Sequence, residues 1–170
     1  MALSALPSIG TLLNGSRNIL RDQWDRLSGL PGGKYLFSKV VGRAAPYTGN
    51  IDGRVVELRR GYAKVQMADA PGLRNHLSSV HAVALVNLAE LTGNIAVAYS
   101  LPDDARFIVA GLSIDYTKKA RGVITGECHA PVVASSERRE YPVEVVLKNA
   151  AGEEVARCTL RTLVGPKKKL

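Results

Sequence analysis

The chain has 170 residues, a formal net charge of +8, 46% hydrophobic residues and 5% aromatic residues. That is enough for one hydrophobic core and too little for two comfortable domains. The scarcity of aromatics among the basic residues argues against a nucleic-acid surface, and two cysteines, Cys128 and Cys158, are too few for a disulfide framework.

The N-terminus lacks a basic start, and Pro7 and Gly10 break its apolar stretch. No later run reads as long enough to span a bilayer, so a soluble, cytoplasmic protein without membrane partners is expected. From Ser16 to Leu30 the spacing of Ile19, Leu20, Trp24 and Leu27 predicts a helix, ended by Leu30-Pro31-Gly32-Gly33. A short apolar stretch from Tyr35 to Val41 precedes the turn-rich Ala45-Pro46-Tyr47-Thr48-Gly49. Next, Ile51 to Leu58 and Tyr62 to Met67 read as a hairpin turning at Arg59-Arg60-Gly61.

Ala82 to Leu91 then reads as a helix that is apolar on every side and must be wrapped by protein. Ser78 or Ser79 is the expected N-cap, and Gly93 the expected stop. Strand-like segments follow at Asn94 to Leu101, Ala105 to Thr117, Gly122 to Pro131, Tyr141 to Lys148 and Glu153 to Val164. The organisation expected is an N-terminal helical extension over 1–44, one domain over 45–165 and a solvated basic tail over 166–170 that carries Lys167, Lys168 and Lys169. A sheet covers a lone helix on one side only, so its other flank needs the N-terminal segment or a partner subunit.

Glu90 is the one ionisable residue on that helix. A carboxylate there either points to solvent near the helix end or lies at a functional site, where it faces a wet opening, pairs with a cation or holds a raised pKa. Nine residues separate it from His81, about 13 Å along the axis and half a turn out of phase, so the two cannot meet within one chain. If they share a site, two subunits build it. His76 and His81 find no third partner for a metal, and none is expected. Asp69 reads as turn chemistry, and Asn87 as a polar helix residue that bonds across a dimer or lines a pocket. Lys118, Lys119 and Arg121 form a basic cluster at a strand end, for which a solvated turn is the plain reading.

The order of hairpin, buried helix and antiparallel strands resembles the hotdog fold: α+β, with a curved antiparallel sheet wrapped round one central apolar helix. Asn75, His81 and Glu90, with Leu88-Ala89-Glu90, resemble the motif of the phenylacetate-degradation type of acyl-coenzyme A thioesterase, in which Asn lies six positions before His and an acid nine after it. Ala82 and Val83 replace the two glycines that follow the His in that family, and Glu90 replaces its usual Asp. Leu30 to Gly33, Ala45 to Gly49, Arg74 to Ala82 and Asp115 to Gly122 resemble an uncharacterised thioesterase-like branch of the superfamily.

The resemblance implies thioester hydrolysis at the interface of a homodimer, or of a dimer of dimers, with no cofactor. Glu90 would be base or nucleophile, and the Ala82 N–H with Asn75 would supply oxyanion and orienting donors. His81 would sit at the tight junction before the helix, either in the site or as a structural donor. Asn87 would face the substrate, while Lys118, Lys119 and Arg121 would hold coenzyme A phosphates. The alternative implied by the same fold is a non-catalytic acyl or acyl-CoA binding protein, which the missing glycines favour.

Overall fold

The structure, a computed structural model, describes residues 17–167. The first sixteen residues of the expected extension, and Lys168 and Lys169 of the expected tail, lie outside them. Asn18 opens the first helix of the described residues, α1 (Ile19–Leu27), by accepting a hydrogen bond from the Arg21 N–H at 3.0 Å. Gly32, at φ 73°, turns the chain into α2 (Gly33–Ala44), so the apolar stretch from Tyr35 to Val41 is the middle of a 12-residue helix. Trp24 of α1 meets Phe37 of α2 edge to face at 5.1 Å. A single turn, α3 (Pro46–Gly49), then leads to the sheet.

The hairpin falls as the sequence predicts, with β1 (Arg54–Arg59) and β2 (Tyr62–Met67) joined at Arg60-Gly61, where Gly61 takes φ 73°. After a short 3₁₀ turn at Pro71–Leu73 comes the central helix, α4 (Ala82–Ser100), followed by β3 (Ala105–Tyr116), β4 (Ile124–His129), β5 (Arg139–Lys148) and β6 (Glu154–Pro166). The strands form one antiparallel sheet in the order β1-β2-β4-β5-β6-β3. With α4 packed on that sheet and N-terminal helices beside it, this is the hotdog arrangement.

Three local expectations change. The helix does not stop at Gly93 but runs to Ser100, so Asn94 to Leu101 is not a strand and four strands follow the helix rather than five. Gly93 serves close approach: a Cβ there would lie 2.4 Å from Leu160 Cδ1 on β6. A matching glycine on the sheet, Gly126, leaves room for Thr92, whose Oγ1 would lie 2.5 Å from an added Cβ. Neither Ser78 nor Ser79 caps α4. Ser78 takes a positive φ of 53° and Ser79 bonds to Asn75, leaving His81 as the N-cap. At full length the 19-residue helix is long and apolar enough to cross a bilayer, contrary to the expectation of a short one, yet 67% of that span is buried inside the protein.

Burial on the sheet follows period two. Val143, Val145 and Leu147 of β5 and Cys158, Leu160 and Val164 of β6 are fully buried toward α4, which contributes Leu88, Ala89 and Ala96. Each large side chain so buried contributes about 1.5–3 kcal/mol. Several bonds fasten the N-terminal layer to this core, three of them buried. Asn18 Nδ2 donates to the Ala98 carbonyl at 2.7 Å and to the Leu101 carbonyl at 3.3 Å, while Ser38 Oγ on α2 accepts from the Val55 N–H at 2.9 Å. One flank of α4 is therefore covered by this chain's own N-terminal helices.

Candidate functional site

The approach to α4 is a pinned loop. Asn75 Oδ1 accepts from the Leu77 N–H at 2.9 Å, the Ser79 N–H at 3.3 Å and Ser79 Oγ at 3.2 Å, an Asx turn that shapes residues 75–79. Asp69 ties this loop to the turn after β3, accepting from Arg74 Nε at 2.7 Å and from the Gly122 N–H at 2.9 Å. Those two donors, Arg74 first, keep its carboxyl below the usual aspartate range. Arg121 Nε donates to the Ser78 carbonyl at 3.3 Å, and the Val80 N–H to the Ala120 carbonyl at 2.8 Å.

At the start of α4 the donors are divided. His81 Nδ1 accepts from the Val83 N–H at 3.1 Å, so the imidazole uses one free helix donor itself. Among the described residues the Ala82 N–H meets no protein acceptor. Ala82 lies on a pocket of about 340 Å³ with Asn75, Tyr116, Lys118 and Lys119. Tyr116 donates its hydroxyl to the Ala82 carbonyl at 3.2 Å and so braces the first turn. Lys118 is held by Glu153 at 2.6 Å, whereas Lys119, exposed on the same rim, has no partner among the described residues.

Glu90 stands elsewhere. It is half-buried on the wall of an open cleft of about 380 Å³, between α4, the N-terminal helices and β3. The cleft is otherwise lined almost wholly by apolar side chains, with Asn94 one helical turn beyond Glu90. Asn94 Nδ2 lies 3.5 Å from Glu90 Oε1, and its buried Oδ1 has no hydrogen-bond partner. The Glu90 carboxylate therefore faces an open cleft rather than the packed core. Cys158, behind the helix on β6, feels that carboxylate: burial first, and then the charge of Glu90, push its thiol up to about 11. Cys128 is pushed up to about 12 by burial, so neither cysteine is an activated nucleophile.

The structure thus brings Asn75, Ala82, Lys118 and Lys119 round one pocket, with His81 and Arg121 in its supporting loop, and sets Glu90 on a different cleft. Asn87 lines neither: its Nδ2 donates to the Tyr47 carbonyl at 3.2 Å, and its Oδ1 is buried without a partner. Sequence reasoning does not single out Asn94, Tyr116 or the apolar wall from α1 and α2. Asn94 has a visible signal, since it lies one turn from Glu90 on the same helix face. The wall has none, because it joins segments distant in the chain. Among the described residues no cluster of three or more His, Cys, Asp or Glu could hold a metal ion.

A long helix on a six-stranded antiparallel sheet, with a carboxylate cleft on one flank and a donor pocket at the helix start, defines a hotdog-fold protein. More narrowly, residues 33–164 match the family described as domain of unknown function (DUF4442), and the chain belongs to that family. The structural-genomics protein APC5556 is 28% identical, with a TM-score of 0.74 over 86% of this chain and 98% of that one. A protein of unknown function from Pseudomonas aeruginosa, PA5026, described as a probable thioesterase, is 24% identical, with a TM-score of 0.70 over 81% of this chain and 97% of its own. The thioesterase HI1161 from Haemophilus influenzae is 11% identical, with a TM-score of 0.64 over 72% and 85% of the two chains. No curated protein matches the chain in sequence.

Proposed function

We propose that this protein is an acyl-CoA thioesterase of the cytoplasm that works as a homodimer, each active site shared between two copies. The observation that carries the reading is the separation along α4. The carboxylate of Glu90 and the open Ala82 N–H lie on one helix but in different clefts, about 12 Å apart along its axis. A two-fold pairing that sets Glu90 of one protomer against Ala82 of the other completes two sites at once. The edge strand β3, with Ile108 and Leu112 exposed, is the surface that supports such pairing. Free buried thiols fit a reducing compartment.

In this reading Glu90 removes a proton from a water that attacks the thioester carbon, or attacks that carbon directly. The oxyanion that forms accepts from the Ala82 N–H, assisted by the positive end of α4. Collapse of the tetrahedral adduct breaks the C–S bond, and the thiolate leaves with the proton that Glu90 took from water. Where Glu90 itself attacks, the thiolate takes its proton from solvent, and a water then opens the acyl-glutamyl anhydride to release the acid and free Glu90. Asn75 shapes the pocket's loop, and its amide faces the substrate. Lys119 and Lys118, with Arg121 behind them, attract the phosphates of coenzyme A.

The test is thiol release from a panel of short, medium, long and aryl acyl-CoA substrates, beside light scattering for the dimer. Glu90→Gln is expected to keep the melting temperature and oligomeric state and to lose at least about 10²-fold in turnover. Wild-type hydrolysis by that mutant removes Glu90 from the chemistry, and a concentration-independent monomer removes the shared site. The second reading, a binding protein that does not hydrolyse, is favoured by Val83. That residue is 51% exposed at the helix mouth and its N–H is spent on His81, which leaves one fewer donor for an oxyanion. An acyl-CoA that raises the melting temperature without releasing thiol would select it.

A further inference from the structure

The Glu90 cleft has a direction and an end. Glu90, Asn94 and Ala98 recur every four residues on one face of α4, and all three line it. From Glu90 to Ala98 the cleft follows the helix for about 12 Å. Apart from Glu90, Asn94 and Thr48 its walls are apolar, among them Leu20 from α1, Val41 from α2, Ile95 from α4, and Phe107 and Val109 from β3. Beyond Ala98 the space between Asn18, Leu20 and Leu101 shrinks to about 20 Å³. Asn18 draws α1 against α4 at that point by its bonds to the Ala98 and Leu101 carbonyls. Among the described residues no Lys or Arg lines the cleft itself, whereas Lys167 lines the narrow space beyond Ala98.

We propose that the cleft measures a straight acyl chain, with the carbonyl at Glu90 and the methyl end against Leu20 and Ala98. An extended hydrocarbon advances roughly 1.25 Å per carbon for bonds of about 1.5 Å at the tetrahedral angle, so about 12 Å holds about eight to ten carbons. The N-terminal helices are therefore the specificity element, since α1 sets where the cleft stops. The proposal rests on the thioesterase reading for its carbonyl end and on the cleft alone for its length.

Two measurements test it on the intact chain: kcat/KM across straight-chain acyl-CoAs, and the rise in melting temperature given by the matching non-hydrolysable thioether analogues. Both are expected to peak at about eight to ten carbons. Leu20→Ala, which opens the closed end, moves the peak to longer chains. Ala98→Leu, which fills it, moves the peak shorter by two or more carbons and lowers the long-to-short ratio at least tenfold. A peak that neither variant moves, a flat profile or a preference for aryl thioesters overturns the proposal. If no thioester is hydrolysed while the thioether series keeps its optimum and its response to Leu20→Ala, the ruler stands and the hydrolase reading falls. If thioesters are hydrolysed with an optimum that ignores both variants, the hydrolase reading stands and the ruler falls.

Discussion

Asp69 joins Gly122 across 53 residues of sequence: its Oδ2 accepts the Gly122 N–H at 2.9 Å while its Oδ1 accepts from Arg74 Nε at 2.7 Å. One carboxylate thereby fixes the loop that carries Asn75 and the turn that carries Lys119 relative to each other. Asp69→Ala is expected to lower kcat/KM roughly tenfold, the equivalent of one charge-assisted hydrogen bond, without touching the reacting groups. Steady-state kinetics of the folded variant check this, and unchanged constants would show that the loop holds its shape without the clamp.

Stability should fall in acid through two carboxylates. Lys148, at 2.5 Å, and Lys64, at 3.1 Å, hold Glu127 below the ordinary glutamate range against its own burial, and Asp69 is likewise lowered by Arg74 and Gly122. A lowered folded pKa means that the unfolded chain binds the proton more tightly. The stabilisation is therefore present above the ordinary carboxylate values, about 3.9 and 4.3, and is lost as pH falls through the lower folded ones. Urea midpoints from pH 7 to pH 3 should decline for the wild type and decline less steeply for Glu127→Gln. A parallel decline would place the acid sensitivity elsewhere.

The crossing of α4 over β4 depends on an absent side chain. Thr92 Oγ1 is held by the Leu88 carbonyl at 2.7 Å and fills the space where a Cβ on Gly126 would stand. Gly126→Ala is expected to cost about 1–3 kcal/mol in denaturant unfolding, as overpacked cores do. Thr92→Ala in the same chain should recover a large part of that loss. Additive effects in the double mutant would show that the two residues do not compete for one space.

Lys119 is the exposed cation on the donor pocket best placed to act on a ligand alone, since Lys118 is held by Glu153 and Arg121 braces Ser78. Lys119→Ala should raise KM for an acyl-CoA about threefold or more with kcat little changed. The difference should shrink as salt shortens the Debye length from about 10 Å to about 3 Å. A change confined to kcat would assign the lysine to chemistry instead of attraction.

The thiols give a further check on the core. With Cys128 pushed up to about 12 and Cys158 to about 11, both are neutral at pH 8, where the thiolate is the reactive form. Alkylating reagents should leave both unmodified in the folded protein and label both in urea, as read by mass spectrometry. Rapid native labelling of Cys158 would mean that β6 opens near Glu90.

Much of the fold is legible because its signals are local. Period-two burial marks β5 and β6, Gly61 marks the hairpin, and apolarity on all sides marks α4. The length of α4 is not legible. Gly93 carries the local mark of a stop, and Ile95 and Val97 that of a strand, but packing of Gly93 against Leu160 overrides both. The cap is misread for a similar reason: Ser79 has the right chemistry for α4 but is spent on Asn75. The spacing of His81 and Glu90 already places the two residues far apart on α4, as the separate clefts of Ala82 and Glu90 require. The cleft that holds Glu90 is hidden from sequence because Leu20, Val41 and Phe107 meet only in three dimensions.

The bond from Asn18 to the Ala98 carbonyl spans 80 residues, which sets an order of events during synthesis. The segment bearing Trp24 and Phe37 emerges first, yet the helix end that receives it comes later by roughly 4–16 s at ribosomal rates of 5–20 residues per second. During that delay the indole and phenyl rings have each other but no helix to rest on. Until Ala98 and Leu101 have been made, a newborn chain carries this apolar segment without the helix end on which Asn18 fastens it.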